Sequence, residues 1–214
     1  MKRIHLATLI ITTITCFGLL PRAQGQFYFP VGIAYCSGVQ NASDKLLDYY
    51  QQDGYTTESR IIIPVGLVLN PYYDWQTPIG AIGAGVSVGP TAFNIVDNVS
   101  MGHTSFSYAV PVGGFMRYTP WPKATFSPYV RVGVEYPFAG GDNFESSSVG
   151  VVGAVGIELW RTKMVGVSLE AGYDTSQIKV KYTSTLGGGG LNIGQTYSSK
   201  VDFPAFTASL SVVF

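Results

Sequence analysis

Eight stretches of this chain repeat with period two. The segments at about 28–38, 58–69, 79–89, 104–118, 126–138, 148–160, 165–182 and 201–214 each put apolar residues on every second position. In the second, Ile61, Ile63, Val65, Leu67 and Leu69 share one face. The fourth groups Phe106, Tyr108, Val110, Val112 and Met116, and the fifth groups Val130, Val132, Val134 and Tyr136. The sixth groups Val149, Val151, Val155, Ile157 and Leu159. Opposite them stand Gly66, Gly113, Gly133, Gly150, Gly156 and a few charges. Successive side chains of a strand point to opposite faces, so this pattern builds strands with one apolar and one small or polar side. No stretch carries a helical repeat of useful length, and the fold expected is all-β.

Only 12% of the residues are charged and the net charge is zero, against about 25% charged residues in ordinary soluble domains. No basic patch marks a nucleic-acid surface. Low charge without a long apolar run suits a membrane barrel, whose hydrophobicity is spread over alternate residues. Most of the eight segments exceed the roughly 9–11 residues that a tilted strand needs to cross a bilayer. The expectation is therefore an eight-stranded antiparallel transmembrane β-barrel, a monomer embedded in lipid.

Residues 1–25 read as an export signal. Lys2 and Arg3 open it, Leu6 to Leu20 form the apolar stretch, and Ala23-Gln24-Gly25 offers a small-x-small cleavage site, leaving residues 26–214 as the barrel. One cysteine, Cys36, then remains. A lone cysteine makes no intrachain disulfide and fits no metal spacing, so neither a metal nor another cofactor is expected.

The connections alternate in length. Those around 70–78, 119–125 and 161–164 are short, whereas those around 39–57, 90–103, 139–147 and 183–200 are mostly longer and polar. Bacterial barrels have short periplasmic turns and longer outer loops, which places both termini in the periplasm. Tyr72, Tyr73, Trp75, Tyr118, Trp121 and Trp160 all lie in or beside the short turns. Aromatic rings with a polar edge prefer the membrane–water boundary, so these six are expected to form a periplasmic girdle. Pro-Val-Gly recurs at Pro30, Pro64 and Pro111. It reads as curvature hardware, since proline interrupts the ladder and glycine relieves crowding.

Three further pieces carry a resemblance. Ser127-Pro128-Tyr129-Val130-Arg131-Val132-Gly133-Val134 opens the fifth strand, Gly153-Ala154-Val155-Gly156-Ile157-Glu158-Leu159 lies in the sixth, and Leu169-Glu170-Ala171-Gly172-Tyr173 lies in the seventh. In that order they resemble the eight-stranded family of opacity-type proteins and the transmembrane domain of outer membrane protein A. The last strand, with Phe206, Leu210, Val212 and Phe214 on one face, resembles the signal such barrels present to the barrel-assembly machinery. The resemblance implies the outer membrane of a Gram-negative bacterium. It does not imply cell-wall anchoring, because the peptidoglycan-binding domain of larger members has no counterpart here.

Alternation assigns Arg60, Arg117, Arg131, Glu135, Glu158 and Glu170 to the face opposite the apolar one. In an eight-stranded barrel that face fills the lumen, where charges need partners. Counting from the strand ends predicts three tiers: Arg117 with Glu158, Arg131 with Glu170, and Arg60 with Glu135.

Two other readings carry specific residues. His103 and Ser105 form a His-x-Ser pair that, with Glu135, is similar to the catalytic set of a lipid-A deacylase family. That family's asparagine after the serine is replaced by Phe106, and Glu135 does not match its spacing, so no enzyme is expected. A secreted lipocalin-like barrel would reverse the faces, but the early Gly-x-Trp is lacking and the weakly charged, glycine-rich face makes a poor soluble exterior. The function expected is structural or adhesin-like, through extracellular loops that meet a host or envelope ligand, with a narrow pore as the alternative. Tyr49, Tyr50, Tyr55 and Phe144 are loop aromatics that either anchor such a partner or cap the barrel mouth.

Overall fold

The computed structural model describes residues 25–55, 65–89, 91–96, 104–161, 163–203 and 206–214. The export signal apart from Gly25, and with it Arg60 and His103, lies outside the described residues. In chain order the elements are β1 (Gly25–Tyr28), β2 (Pro30–Cys36), α1 (Ser37–Gln52), β3 (Val65–Leu69), β4 (Tyr72–Thr77), β5 (Gly80–Val88) and β6 (Thr91–Val96). They continue with β7 (Thr104–Thr119), β8 (Phe126–Gly141), β9 (Phe144–Ser148), β10 (Gly150–Leu159), β11 (Gly166–Asp174), β12 (Gln177–Thr183), β13 (Thr196–Asp202) and β14 (Phe206–Val213).

A closed antiparallel barrel of eight staves results. β1 with β2, β3 with β4, and β5 with β6 each form one interrupted stave, and the first two breaks lie beside Pro30 and Pro71, which have no N–H to give the ladder. β7, β8, β10, β11 and β14 supply the other five. The longest ladder joins β7 to β8, from Ser107 opposite Gly141 to Tyr118 opposite Val130. The first and last staves close the cylinder through β2 and β14, and the Phe29 amide donates to the Phe214 carbonyl at 3.0 Å.

The faces sort as alternation requires. Leu67, Met116, Val132, Val155 and Leu210 point out and are exposed, while Tyr72, Arg117, Tyr129, Glu158 and Ser211 point in and are buried. Gly133 faces inward, where a Cβ would run into the Gly114 carbonyl oxygen and the Phe115 side chain. Glycine there lets Phe115 enter the lumen.

The long connections hold the main departure from the sequence reading. Residues 39–57 were expected as a loop, yet most of this stretch belongs to α1. Its Val39, Ala42, Leu46 and Tyr49 are buried, at the i, i+3, i+7 spacing of one helical stripe. The expected single strand 165–182 is two segments, β11 and β12, broken at Thr175 and Ser176. β12 pairs with β9 and β13 to make a separate three-stranded sheet. The α1 stripe packs on this sheet against Phe144, Ile178, Val180, Tyr182 and Phe203, and Cys36 and Ala109 of the barrel staves join the same core. A helix–sheet cap thus sits on the barrel end opposite the short turns.

Candidate functional site: a plugged lumen beneath a helix–sheet cap

The lumen is crossed by two layers of ion pairs. At the end of the short turns, Glu158 Oε1 accepts from Arg117 Nη1 and Tyr72 Oη, each at 2.7 Å. Glu158 Oε2 accepts from Arg161 Nη1 at 2.6 Å, and Arg161 also pairs with Asp74. All four charged side chains are at most 4% exposed. Two guanidinium groups face two carboxylates, so the layer balances, as charges taken out of water must. Aromatic rings complete it: Arg117 lies 3.5 Å from the Tyr129 ring centre and Arg161 lies 4.3 Å from that of Tyr28.

The second layer lies higher. Arg131 Nη2 donates to Glu170 Oε1 at 2.6 Å, and Tyr129 Oη donates to Glu170 Oε2 at 2.9 Å. Arg131 stands 4.9 Å from the centre of the Phe115 ring that Gly133 admits. Between the layers remains a void of about 10 Å³ lined by Arg117, Arg131, Tyr72 and Asn70. Above Arg131 a chamber of about 50 Å³ is lined by Glu135, Asp174, Ser87 and Cys36 among others. Such a chamber holds only a few waters. Glu135 accepts from Ser87 Oγ at 2.5 Å and lies within hydrogen-bonding reach of Asp174. Its expected partner Arg60 is outside the described residues.

Three residues of the lower layer were not anticipated in that role. Arg161 sits in a short turn, where sequence reasoning expects solvent, but it reaches back to Glu158 three positions earlier. Asp74 was assigned to the first short connection, whereas β4 extends that stave through Thr77 and turns Asp74 inward. Tyr72 requires a correction: it is no girdle residue but a lumen side chain, 2% exposed. The alternation of β3, continued through Asn70, carries Tyr72 and Asp74 to the inner face.

The other girdle residues stay outside. Trp121 and Trp160 are exposed, and Tyr73 packs edge-on against Trp75. Tyr118 donates its hydroxyl to the Ile79 carbonyl at 2.7 Å. Trp160 adopts φ 57°, uncommon for a large side chain, in a turn fixed by the hydrogen bond its backbone N–H donates to the Thr125 carbonyl at 2.8 Å. Phe206, Leu210, Val212 and Phe214 are all exposed on the outer face. Ser105 lies in β7.

The cap is tied down by one carboxylate. Asp53, just past α1, accepts from Tyr182 Oη at 2.7 Å and Ser184 Oγ at 2.6 Å. It also accepts from the backbone amides of Thr185, Leu186, Gly187 and Gly188. Burial raises its pKa, but these donors outweigh burial and hold the carboxyl well below the usual carboxylate range. Burial, and then the Asp53 carboxylate, push the Tyr182 hydroxyl up. Of the loop aromatics, Tyr49 and Phe144 are buried in the cap core and Tyr50 packs edge-on to Tyr182 at 4.7 Å. They line the inside of the cap, above the barrel mouth.

No family model matches the chain, and no curated protein does. Among solved structures, the outer membrane protein OprG from Pseudomonas aeruginosa is similar with a TM-score of 0.55 and 12% identity, over 87% of this chain and 93% of that one. The outer membrane protein AlkL, solved in lipid bilayers, superposes with a TM-score of 0.49 and 16% identity over 91% of this chain and 92% of its own. With the closed cylinder and the apolar exterior, the likeness to OprG makes this chain an eight-stranded outer-membrane β-barrel in fold.

Proposed function

We propose that the protein is a closed barrel of the outer membrane, with both termini in the periplasm, whose role is structural and interactive. It holds a rigid cylinder in lipid and displays the helix–sheet cap to the outside, where a host or envelope ligand would be met. The carrying observation is the lumen filled by Arg117, Glu158, Arg161, Asp74, Arg131 and Glu170. Opening a water path there would strand buried charges, each costly without its partner. A narrow pore is therefore the weaker reading. No catalytic role is assigned to Ser105 and Glu135: the Glu135 carboxylate is already engaged by Ser87.

Single-channel recording in planar bilayers tests the reading. The expected result is the absence of stable large openings; sustained conductance steps from purified barrel would overturn it. A Ser105→Ala variant is expected to leave lipid-A acylation unchanged on overexpression, by mass spectrometry.

A further inference from the structure

The outer face of the cap sheet carries three lysines, Lys179, Lys181 and Lys200, against which the sheet itself sets only Glu145 and Asp202. Burial alternates without a break from Gly166 to Thr183, even residues covered and odd residues open. The side of β11 that presents Leu169, Ala171 and Tyr173 is thus the side of β12 that presents Lys179 and Lys181. Tyr173 is opposite Phe206, and both are exposed, forming the last aromatic rung of the lipid-facing wall. Beyond that rung the outward residues turn from apolar to Gln177, Lys179 and Lys181.

Lys179 faces Lys200 directly across the β12–β13 ladder. Like charges at directly opposed positions repel and destabilise a sheet. Glu145 on β9 offsets part of this, lying 2.6 Å from Lys181 Nζ and 3.8 Å from Lys179 Nζ. The hydrogen bond from Lys181 holds the Glu145 carboxyl below the usual range. Asp202, on the same face, accepts from Gln177 at 3.0 Å. Among the described residues Lys200 has no carboxylate within salt-bridge distance and is exposed. An anionic layer beside this face would relieve the repulsion that the sheet leaves uncompensated.

We propose that the Lys179–Lys181–Lys200 face docks on the phosphorylated headgroups of the glycolipid leaflet around the barrel. The occupant follows from charge complementarity and from continuity with the wall that meets the acyl chains. The proposal rests on the outer-membrane reading given above, with the cap outside. Each lysine at an anionic lipid surface strengthens association about fivefold.

The test uses the full mature chain in neutral detergent micelles, titrated with bisphosphorylated lipid A and with the same lipid stripped of phosphate. Wild type should bind the phosphorylated form more tightly, with a strong salt dependence. Lys200→Gln should weaken binding about fivefold, and Lys179→Gln/Lys181→Gln/Lys200→Gln should remove the preference for phosphate. Lys200→Gln guards against misfolding, which heat-modifiable gel migration reports for both variants. Equal affinity for the two lipids, or wild-type binding by a folded triple variant, overturns the proposal. A separate arm labels Ile193→Cys, an exposed position in the loop between β12 and β13 and off this face, with a membrane-impermeant maleimide on intact cells, Cys36 being buried. Labelling only after lysis would refute the orientation, whereas surface labelling without phosphate preference would refute the docking alone.

Discussion

Glu158→Gln is the sharpest perturbation the lumen offers. The carboxylate is 1% exposed and accepts three hydrogen bonds, from Tyr72, Arg117 and Arg161. Glutamine keeps the shape and one acceptor oxygen but removes the charge, leaving Arg117 without its carboxylate and Arg161 with Asp74 alone. Hydrogen bonds to charged groups contribute about 1.5–3 kcal/mol each, and breaking a buried ion pair by removing one partner costs about 3–5 kcal/mol. Because the amide oxygen retains part of the network, about 3 kcal/mol is expected. The matched control is Glu145→Gln, whose ion pairs lie 37–48% exposed and are screened by solvent. Urea unfolding of the barrel in lipid vesicles, followed by tryptophan fluorescence, measures the difference. With slopes of about 1–3 kcal/mol per molar urea, the Glu158→Gln midpoint should fall by roughly 1–3 M and the Glu145→Gln midpoint by far less. Adding Arg117→Gln to Glu158→Gln should cost less than the sum of the single changes, because it removes a charge the first change orphaned. Equal midpoints for the two single variants would show that the lumen charges are solvated, and the plugged-barrel argument would fail with them.

Asp53→Asn should loosen the cap by about 2–3 kcal/mol, seen as roughly 30–150-fold faster hydrogen exchange at the amides of Thr185 to Gly188, with barrel amides unaffected. The same carboxyl predicts an acid transition. Its folded pKa lies below the unfolded value of about 3.9, so its stabilisation is complete above that value and fades as pH falls through the folded one. Near-ultraviolet circular dichroism of the stacked Tyr49 and Tyr182 rings, 6.0 Å apart, should stay flat from pH 8 to about 5 and decline below about 4, but not in Asp53→Asn. Gly133→Ala should impair folding into vesicles, because the Phe115 side chain has nowhere to go, whereas Gly153→Ala, with open space at its outer face, should fold like wild type.

The cylinder was legible because a membrane imposes one rule on every stave: apolar outward, small or polar inward. That rule acts locally, residue by residue, and Val130, Val132 and Val134 or Val151 and Val155 display it without reference to the rest of the chain. It also carries Arg117, Arg131, Glu158 and Glu170 to the inner face. Which charges meet is a matter of register between staves, and there local reading runs short. Arg161 lies just past β10 and Asp74 within β4, and only the folded cylinder brings the two to one level. Tyr72 reads as a turn residue only if the strand is stopped at Leu69; the alternation followed through Asn70 puts it inside. The helix α1 was missed although Val39, Ala42, Leu46 and Tyr49 hold a readable stripe. Its polar remainder, rich in Asp, Gln and Ser, outweighed four apolar positions, and the surface that stripe needs comes from β12, more than a hundred residues later.

The joint between β2 and β14 also governs how the molecule comes into being. The Phe206 amide donates to Ser37 Oγ from 169 positions away, at the top of that joint. Pairing partners this distant in sequence meet late, since the loop-closure entropy precedes any gain from contact. Until they meet, the growing sheet carries two raw margins of unsatisfied amides and carbonyls, a template for aggregation in water and untenable in hydrocarbon. Neither solvent suits the open sheet, so sealing of the wall and entry into the lipid are expected to be a single event.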